Sequence, residues 1–313
     1  MHSTMPQEGQ GLVLALDVGG TDIKVALQDA AGGFHGLRRL PTPLDPYRPG
    51  DVIVERVAGL VREYRDQAGG SPIRSIGLVV PGLVDEDAGV GILSANLGWR
   101  SYPFSRMVQE ATGLPVAFGH DVGMAGDAEM RLGAGRGLRD VVVIIIGTGI
   151  AGALFCDGRR VLGGGFAGEI GHAPVPGGLQ CACGATGCLE TLASAGAIAR
   201  RYTEASGRPV AGAAEVLAAA GAGDKDARSV WNEGVEALAV ALSQMVAVLG
   251  SEAVILGGGL SQAGSALLEP LGQRVDSLLS FHRRPRLLRS VLGQDAGLMG
   301  AGLRARDLLA EPR

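Results

Sequence analysis

Twice in this chain an apolar run stops at a glycine–threonine turn and a second apolar run follows at once. Leu12-Val13-Leu14-Ala15-Leu16 leads into Asp17-Val18-Gly19-Gly20-Thr21, and Ile23 to Leu27 reads as the returning strand. Val141 to Ile146 leads into Gly147-Thr148-Gly149, and another strand runs through Leu154. Aligned on Gly20-Thr21 and Gly147-Thr148, both copies read Gly-Thr-x-Ile-x-x-Ala-Leu. Two unrelated hairpins account for such a match. A duplicated α/β domain, with two glycine turns facing one ligand across a cleft, accounts for it as well.

The remaining pattern continues the α/β alternation. Apolar residues from Val52 to Tyr64 fall at helical spacing, and Ile73 to Val80 reads as a strand. Val116 to Phe118 is a short strand before Gly119-His120-Asp121, and a helix follows to Leu132. Ser229 to Leu249 is helical, Ala253 to Leu256 a strand, Ala263 to Leu279 helical, Arg286 to Leu292 a strand and Ala296 to Leu309 a closing helix. No low-complexity linker divides the halves. The expected division is an N-terminal domain over 11–119, completed by the C-terminal helix 296–311, and a C-terminal domain over 120–295. The first ten residues are polar and expected to be disordered.

Composition excludes several classes. Glycine makes up 52 of 313 residues, well above the usual share of roughly 7%, yet shows no collagen-like period. The net charge of −4 offers no basic surplus for nucleic acid or an acidic membrane. The longest apolar stretch, Val141 to Phe155, is short for a membrane span and is broken by Gly147-Thr148-Gly149. No secretion signal is read at the N-terminus. Expected partners therefore include neither nucleic acid nor membrane, and the expected location is the cytoplasm.

The residues that carry chemistry lie at strand ends. Backbone N–H groups in a glycine turn make an anion-binding concavity. Gly19, Gly20 and Thr21 can cradle one phosphate, and Gly147, Thr148 and Gly149 another. Neither turn is a Walker loop or a Rossmann fingerprint. Asp17 is placed to hold Mg²⁺ through water. Lys24 reads either as a phosphate contact or as an exposed strand lysine. Asp121, between a strand and a helix, reads either as a plain N-cap or as a general base for a hydroxyl proton.

Glu169-Ile170-Gly171-His172 precedes Cys181-Ala182-Cys183-Gly184-Ala185-Thr186-Gly187-Cys188. Three Cys and one His are the ligand complement of a closed structural zinc site. Redox-active or incidental cysteines are the competing readings. Cys156 reads as a buried strand residue. A metal loop would fix the direction of Glu169 and Glu190, which then suit a polyhydroxylated ligand. As isolated residues, both would be surface glutamates.

Together these residues resemble the ROK family of bacterial repressors, open reading frames and sugar kinases, over nearly the whole chain from Leu12 to the last helix. The resemblance implies an actin-like, hexokinase-type fold: two α/β domains of ribonuclease H-like topology around an ATP- and sugar-binding cleft. The family's Asp-x-Gly-Gly-Thr motif matches Asp17, Gly19, Gly20 and Thr21. Its second phosphate motif matches Gly147, Thr148 and Gly149, and its nucleotide-side glycine run matches Gly257, Gly258 and Gly259. It implies Asp121 as catalytic base, sugar contacts at Asn96, Glu169, His172 and Glu190, and zinc ligands at His172, Cys181, Cys183 and Cys188. His172 would turn one ring nitrogen to zinc and the other to the sugar. The chain departs from the family at His120, where the family usually has an Asn that hydrogen-bonds a sugar hydroxyl. A histidine in that place also donates, so His120 is a further expected sugar contact.

The implied activity is transfer of the γ-phosphoryl of Mg-ATP to a hexose hydroxyl, foremost the 6-hydroxyl of glucose, with structural Zn²⁺ in the protein. N-acetylmannosamine, fructose and allose are the alternative sugars. A sugar-responsive regulator is the alternative function, but it needs a DNA-binding segment before the first strand, where the chain has about ten residues. A homodimer or higher homo-oligomer is expected.

Overall fold

The structure, a computed structural model, describes residues 11–310. The expectation of disorder for residues 1–10 lies outside them. The described chain forms two compact units. One runs to Ala128 and takes back Leu162–Phe166 and the segment from Asp295 onward. The other holds Glu129–Val161 and Ala167–Gln294.

In the first unit, β1 (Leu12–Val18) and β2 (Asp22–Gln28) form a hairpin, followed by β3 (Phe34–Pro41) and helix α1 (Pro49–Gln67). Next come β4 (Ile73–Val80), β5 (Leu83–Asp85), β6 (Val90–Leu93), β7 (Arg100–Tyr102), α2 (Phe104–Thr112), β8 (Val116–His120) and α3 (Asp121–Leu132), whose residues from Glu129 on belong to the second unit. The main sheet has the order β3-β2-β1-β4-β8, and β5, β6 and β7 make a small separate sheet. Strand β1 is antiparallel to β2 and parallel to β4, which is parallel to β8. Being central, β1 and β4 are covered on both faces, which is why they read as continuous apolar runs rather than alternating ones. One face packs on α1 through Ile53, Val57, Leu60, Val61 and Tyr64.

The second unit repeats the scheme. Strands β9 (Val141–Ile146), β10 (Ile150–Cys156) and β11 (Arg159–Val161) are followed by helices α4 (Glu190–Ala193), α5 (Ala195–Ser206), α6 (Ala213–Gly221) and α7 (Lys225–Leu249). Then come β12 (Ala253–Gly257), α8 (Ser265–Leu278) and β13 (Arg286–Arg289). The sheet order is β11-β10-β9-β12-β13, with β9–β10 antiparallel and β9–β12 and β12–β13 parallel. Order and strand sense thus match the first sheet position by position, and the shared Gly-Thr-x-Ile pattern marks the corresponding hairpin in each. Asp224 caps α7 by accepting from the Asp226 and Ala227 N–H groups, so this helix starts four residues before the apolar pattern shows it. Helix α7 is long and apolar enough to cross a bilayer by length and composition, but Val230, Trp231, Leu238, Leu242 and Val246 are buried in the core of this unit. Cys156, expected buried, is only half-buried: it ends β10 opposite the exposed Arg159.

The last helix, α9 (Ala296–Ala310), packs on β1 and β4 of the first unit. Contact is at backbone distance: a Cβ on Gly77 would lie 2.0 Å from the Ala301 carbonyl oxygen. Ser75, beside it on β4, donates its hydroxyl to the Ala305 carbonyl at 2.8 Å. Neither backbone can yield without tearing its own hydrogen-bond ladder. Gly77→Ala is therefore expected to destabilise the protein by about 1–3 kcal/mol. Urea unfolding measures this, and an unchanged midpoint would show that α9 is free to shift.

Candidate active site

The first glycine turn closes the β1–β2 hairpin, with the Gly19 N–H donating to the Asp22 carbonyl at 2.8 Å. Thr42, at the end of β3, props it from behind. Its hydroxyl donates to the Gly19 carbonyl at 2.8 Å and its N–H to the Thr21 carbonyl at 3.0 Å. Gly20 and Thr21 are exposed, and a Cβ on Gly20 would meet nothing within 4 Å. The turn is thus braced on one side and open on the other, as an anion cradle requires.

Asp17 sits beneath this turn. Its partner is Lys24, directly across the hairpin, with Nζ 3.4 Å from Oδ2. Lys24 is 13% exposed and also lies 3.9 Å from Asp295, so the reading of it as an exposed strand lysine does not hold. Arg39 bridges Asp22 at 3.6 Å and Asp295 at 3.9 Å. Gly297, in the first turn of α9, packs closely over Asp17: a Cβ there would be 3.2 Å from Oδ2, a tight contact. Burial pushes the Asp17 carboxyl up to about 6, against the pull of Lys24 and with the added repulsion of Asp121 and Asp22. A buried carboxylate sharing one lysine is short of positive charge, which fits the donor that a hydrated Mg²⁺ needs.

Asp121 opens α3. Burial alone would raise its carboxyl. The His120 imidazole, with Nε2 3.0 Å from Oδ1, and the Val122 N–H, 2.7 Å from the same oxygen, outweigh that and hold it below the usual carboxylate range. Asp121 is therefore charged at neutral pH, as a base must be. Asn96 is exposed at the tip of a turn after β6, which Ser94 closes by accepting from Leu97 N–H with its hydroxyl and from Gly98 N–H with its carbonyl.

In the second unit, the Gly147 N–H donates to the Gly149 carbonyl at 2.9 Å and closes the β9–β10 hairpin. Glu190 is tied directly to it. Its Oε2 accepts the Ile150 N–H at 2.8 Å and would be 2.5 Å from a Cβ on Gly149. Gly258 has a φ of +79° and lies so close to β9 that a Cβ would be 2.4 Å from the Ile146 carbonyl oxygen. Gly259, by contrast, faces open space.

Residues 168–172 lie flat on β10. The Gly152 N–H donates to the Gly168 carbonyl at 2.8 Å, and Cβ atoms on Gly168 and Gly171 would approach the Gly152 and Ile150 carbonyl oxygens to 2.1 Å. Only glycine permits this approach, and it sets where Glu169 and His172 project. The cysteine loop closes next to them. Cys181 N–H donates to the Ala185 carbonyl, Val175 N–H to the Gly187 carbonyl and Leu189 N–H to the Ala173 carbonyl. Thr191 braces the loop, donating to the Cys188 carbonyl and accepting from Leu179 N–H.

The ligand atoms of His172, Cys181, Cys183 and Cys188 all lie within 4.8 Å of one another. Cys183 and Cys188 sulfurs are 3.6 Å apart, and Cys181 Sγ is 3.7 Å from His172 Nδ1. A tetrahedral zinc with bonds near 2.3 Å holds its sulfurs about 3.8 Å apart, so the donor set fits the ion in kind and spacing. Burial pushes the Cys188 thiol up to about 12, and a metal cation beside it is what would make it a thiolate.

Sequence reasoning missed a cavity of about 360 Å³ in the second unit. Ala195, Gly212, Ala213, Leu217, Trp231, Leu260 and Gln262 are among its lining, and Gly259 forms one edge. Ala195 N–H donates to the Gly147 carbonyl, so the cavity adjoins both the glycine run and the second turn. It is apolar and of the size a flat heterocycle needs. Glu86, Thr191 and Gly297 were also missed; they are ordinary residue types with no motif around them.

The ROK family model matches residues 13–307. A glucokinase of Halalkalibacterium halodurans is 35% identical over an alignment of 317 positions, covering 92% of this chain and 93% of that one. The ROK hexokinase of Thermus thermophilus superposes with a TM-score of 0.84 at 33% identity, over 96% of this chain and all of that one. A ROK family glucokinase from Streptomyces griseus, solved with glucose and AMPPNP, superposes with a TM-score of 0.76 at 30% identity, over 95% of this chain and all of that one.

The Asp17 environment yields a pH prediction for the ligand-free protein. A carboxyl raised from 3.8 to about 6 on folding binds its proton more tightly in the native state. Its contribution to stability is full below pH 4 and is lost as pH rises through 6, by about 3 kcal/mol at most. Asp17→Asn is expected to remove this loss. Urea unfolding at a series of pH values reads it, and an unchanged pH slope in the variant would contradict the buried charge.

Proposed function

The chain belongs to the ROK family, and on that premise we propose that it is an ATP-dependent glucose kinase, transferring the γ-phosphoryl group of ATP to the 6-hydroxyl of glucose. The observation that carries the reading is the whole-length likeness to a glucokinase solved with glucose and AMPPNP, by a chain that has both glycine turns and a charged Asp121 at a strand end.

Each residue then has a physical task. Backbone N–H groups of Gly19–Thr21 and of Gly147–Gly149 take phosphate oxygens, and the apolar cavity beside Gly259 takes the base. Gly257 and Gly258 set the close approach of that segment to β9. Asp17 would hold hydrated Mg²⁺, which offsets the phosphate charge when bound. Asp121 accepts the hydroxyl proton as the sugar oxygen attacks phosphorus. Little else is asked of the protein, because phosphoryl transfer depends chiefly on position and charge. Asn96, Glu169, His172 and Glu190 bind sugar hydroxyls. Glu190 also holds the second turn, and so couples the sugar side of this unit to its phosphate side. His172, Cys181, Cys183 and Cys188 would hold a structural Zn²⁺ that fixes Glu169 and Glu190. The compartment that goes with this reading is the cytoplasm, since reduced cysteines as zinc ligands suit a reducing compartment.

Asp121→Asn is expected to bind glucose normally in calorimetry and to lose about 10²-fold or more in kcat. Near-normal turnover would remove Asp121 from the role. A phosphorylation screen over a dozen sugars tests the substrate, and a kcat/KM for N-acetylmannosamine, fructose or allose above that for glucose would reassign it.

For the metal, atomic emission should find one zinc per chain. Mild chelation should weaken glucose binding before ATP binding, because the zinc loop carries the sugar carboxylates and the apolar cavity stands outside it. Parallel loss of both affinities would count against that placement.

A further inference from the structure

His120 ends β8 and Asp121 begins α3, yet the two side chains meet. The imidazole Nε2 lies 3.0 Å from Asp121 Oδ1. Val122 N–H, at 2.7 Å, is bound to the same oxygen. The junction is held from the other side as well. The His120 main-chain N–H donates to Glu86 Oε1 at 3.1 Å. A Cβ on Gly119, one residue earlier, would press to 2.1 Å on the buried Met124 Cε and 2.9 Å on the same glutamate oxygen. The strand end therefore has little freedom, and the imidazole is carried on a rigid support.

A carboxylate acting as base turns freely about its Cβ–Cγ bond unless something stops it. Here His120 Nε2 and the Val122 N–H both lie on Oδ1, and Asp121's own N–H supports the carboxylate as well. Rotation would break both bonds in a half-buried place, where an unmade hydrogen bond is costly. We propose that His120 is a positioning residue for catalysis: its Nε2–H, donated to Asp121 Oδ1, holds the carboxylate so that Oδ2 receives the proton of the sugar hydroxyl. This deepens the kinase reading and rests on it. In the step itself the hydroxyl O–H bond breaks and its proton passes to Oδ2. The sugar oxygen bonds to the γ-phosphorus as the bond from phosphorus to the bridging oxygen of ADP breaks. Asp121 then returns the proton to water. His120 keeps its own proton throughout and acts only through Asp121.

This differs from a sugar contact in what it predicts. Gln carries its amide nitrogen about where imidazole has Nε2, whereas Ala carries no donor. Steady-state kinetics with ATP and glucose are compared for His120→Ala, His120→Gln, Asp121→Asn and the double variant His120→Ala/Asp121→Asn, together with glucose binding by calorimetry. Positioning predicts that His120→Ala lowers kcat by about 10- to 100-fold while the glucose Kd changes less than about 3-fold. His120→Gln should recover most of that loss. Once Asp121 is replaced, removing His120 should cost nothing more, because residues that act as one unit are not additive. A rise in glucose KM and Kd with kcat retained would overturn the assignment in favour of direct sugar contact. So would a loss that is undiminished in the Asp121→Asn background. If the unmodified enzyme phosphorylates no hexose, the kinase reading falls and this assignment with it; turnover by the unmodified enzyme with the wrong variant pattern overturns the assignment alone.

Discussion

Backbone packed directly on backbone is the constraint on which the structure of each unit depends. Residues 168–172 can hold Glu169 and His172 only because Gly168 and Gly171 let that segment lie on the carbonyl oxygens of β10. The glycine run after β12 meets β9 in the same way through Gly258, and α9 meets β4 through Gly77. Wherever a Cβ would intrude to about 2 Å, the element could dock only by moving away, and the side chains it carries would move with it. A good part of the glycine surplus is thus spent on close approach rather than on turns. Rigid placement is what phosphoryl transfer asks of a protein, since the chemistry itself needs so little covalent help.

The two carboxylates of the first unit show how environment divides roles between like groups. Asp17 is buried with one lysine for company and is pushed up to about 6. Asp121 is held below the ordinary range, against its burial, by the charge and hydrogen bond of His120 and by the Val122 N–H and its own N–H. Their mutual repulsion adds to the contrast. A poorly compensated carboxylate attracts a cation, and a well-supported one stays charged and aimed. In the second unit, Glu190 has yet another environment, bound to the Ile150 N–H behind the second turn.

Much of the architecture was legible because it rests on local pattern. The runs at Leu12–Leu16, Ile73–Val80, Val141–Ile146 and Ala253–Leu256 read as strands, since central strands are buried on both faces and leave no polar interruption. The Gly-Thr-x-Ile match correctly joined the two hairpins, and the sheets turn out to share order and sense. Strands β3, β5, β6, β7 and β11 were not read: the last four are three or four residues long, too few positions to show a period, and β3 is a largely exposed edge strand with no apolar run. The cavity walls escaped for a different reason. Ala195, Ala213, Leu217 and Trp231 are ordinary core residues, and they line a pocket only because three helices bring them together.

The sequence by itself determined the α/β class, the two glycine turns and the grouping of one His with three Cys, because each rests on residue types whose physical properties few substitutes share. The tertiary structure alone decided partners. It set Lys24 between Asp17 and Asp295, Glu190 against the second turn, His120 on Asp121 and Gly297 over Asp17. A side chain's partner depends on its rotamer and on whatever a distant stretch of chain carries to within 3 Å or so, and neither quantity is written in the residues on either side of it.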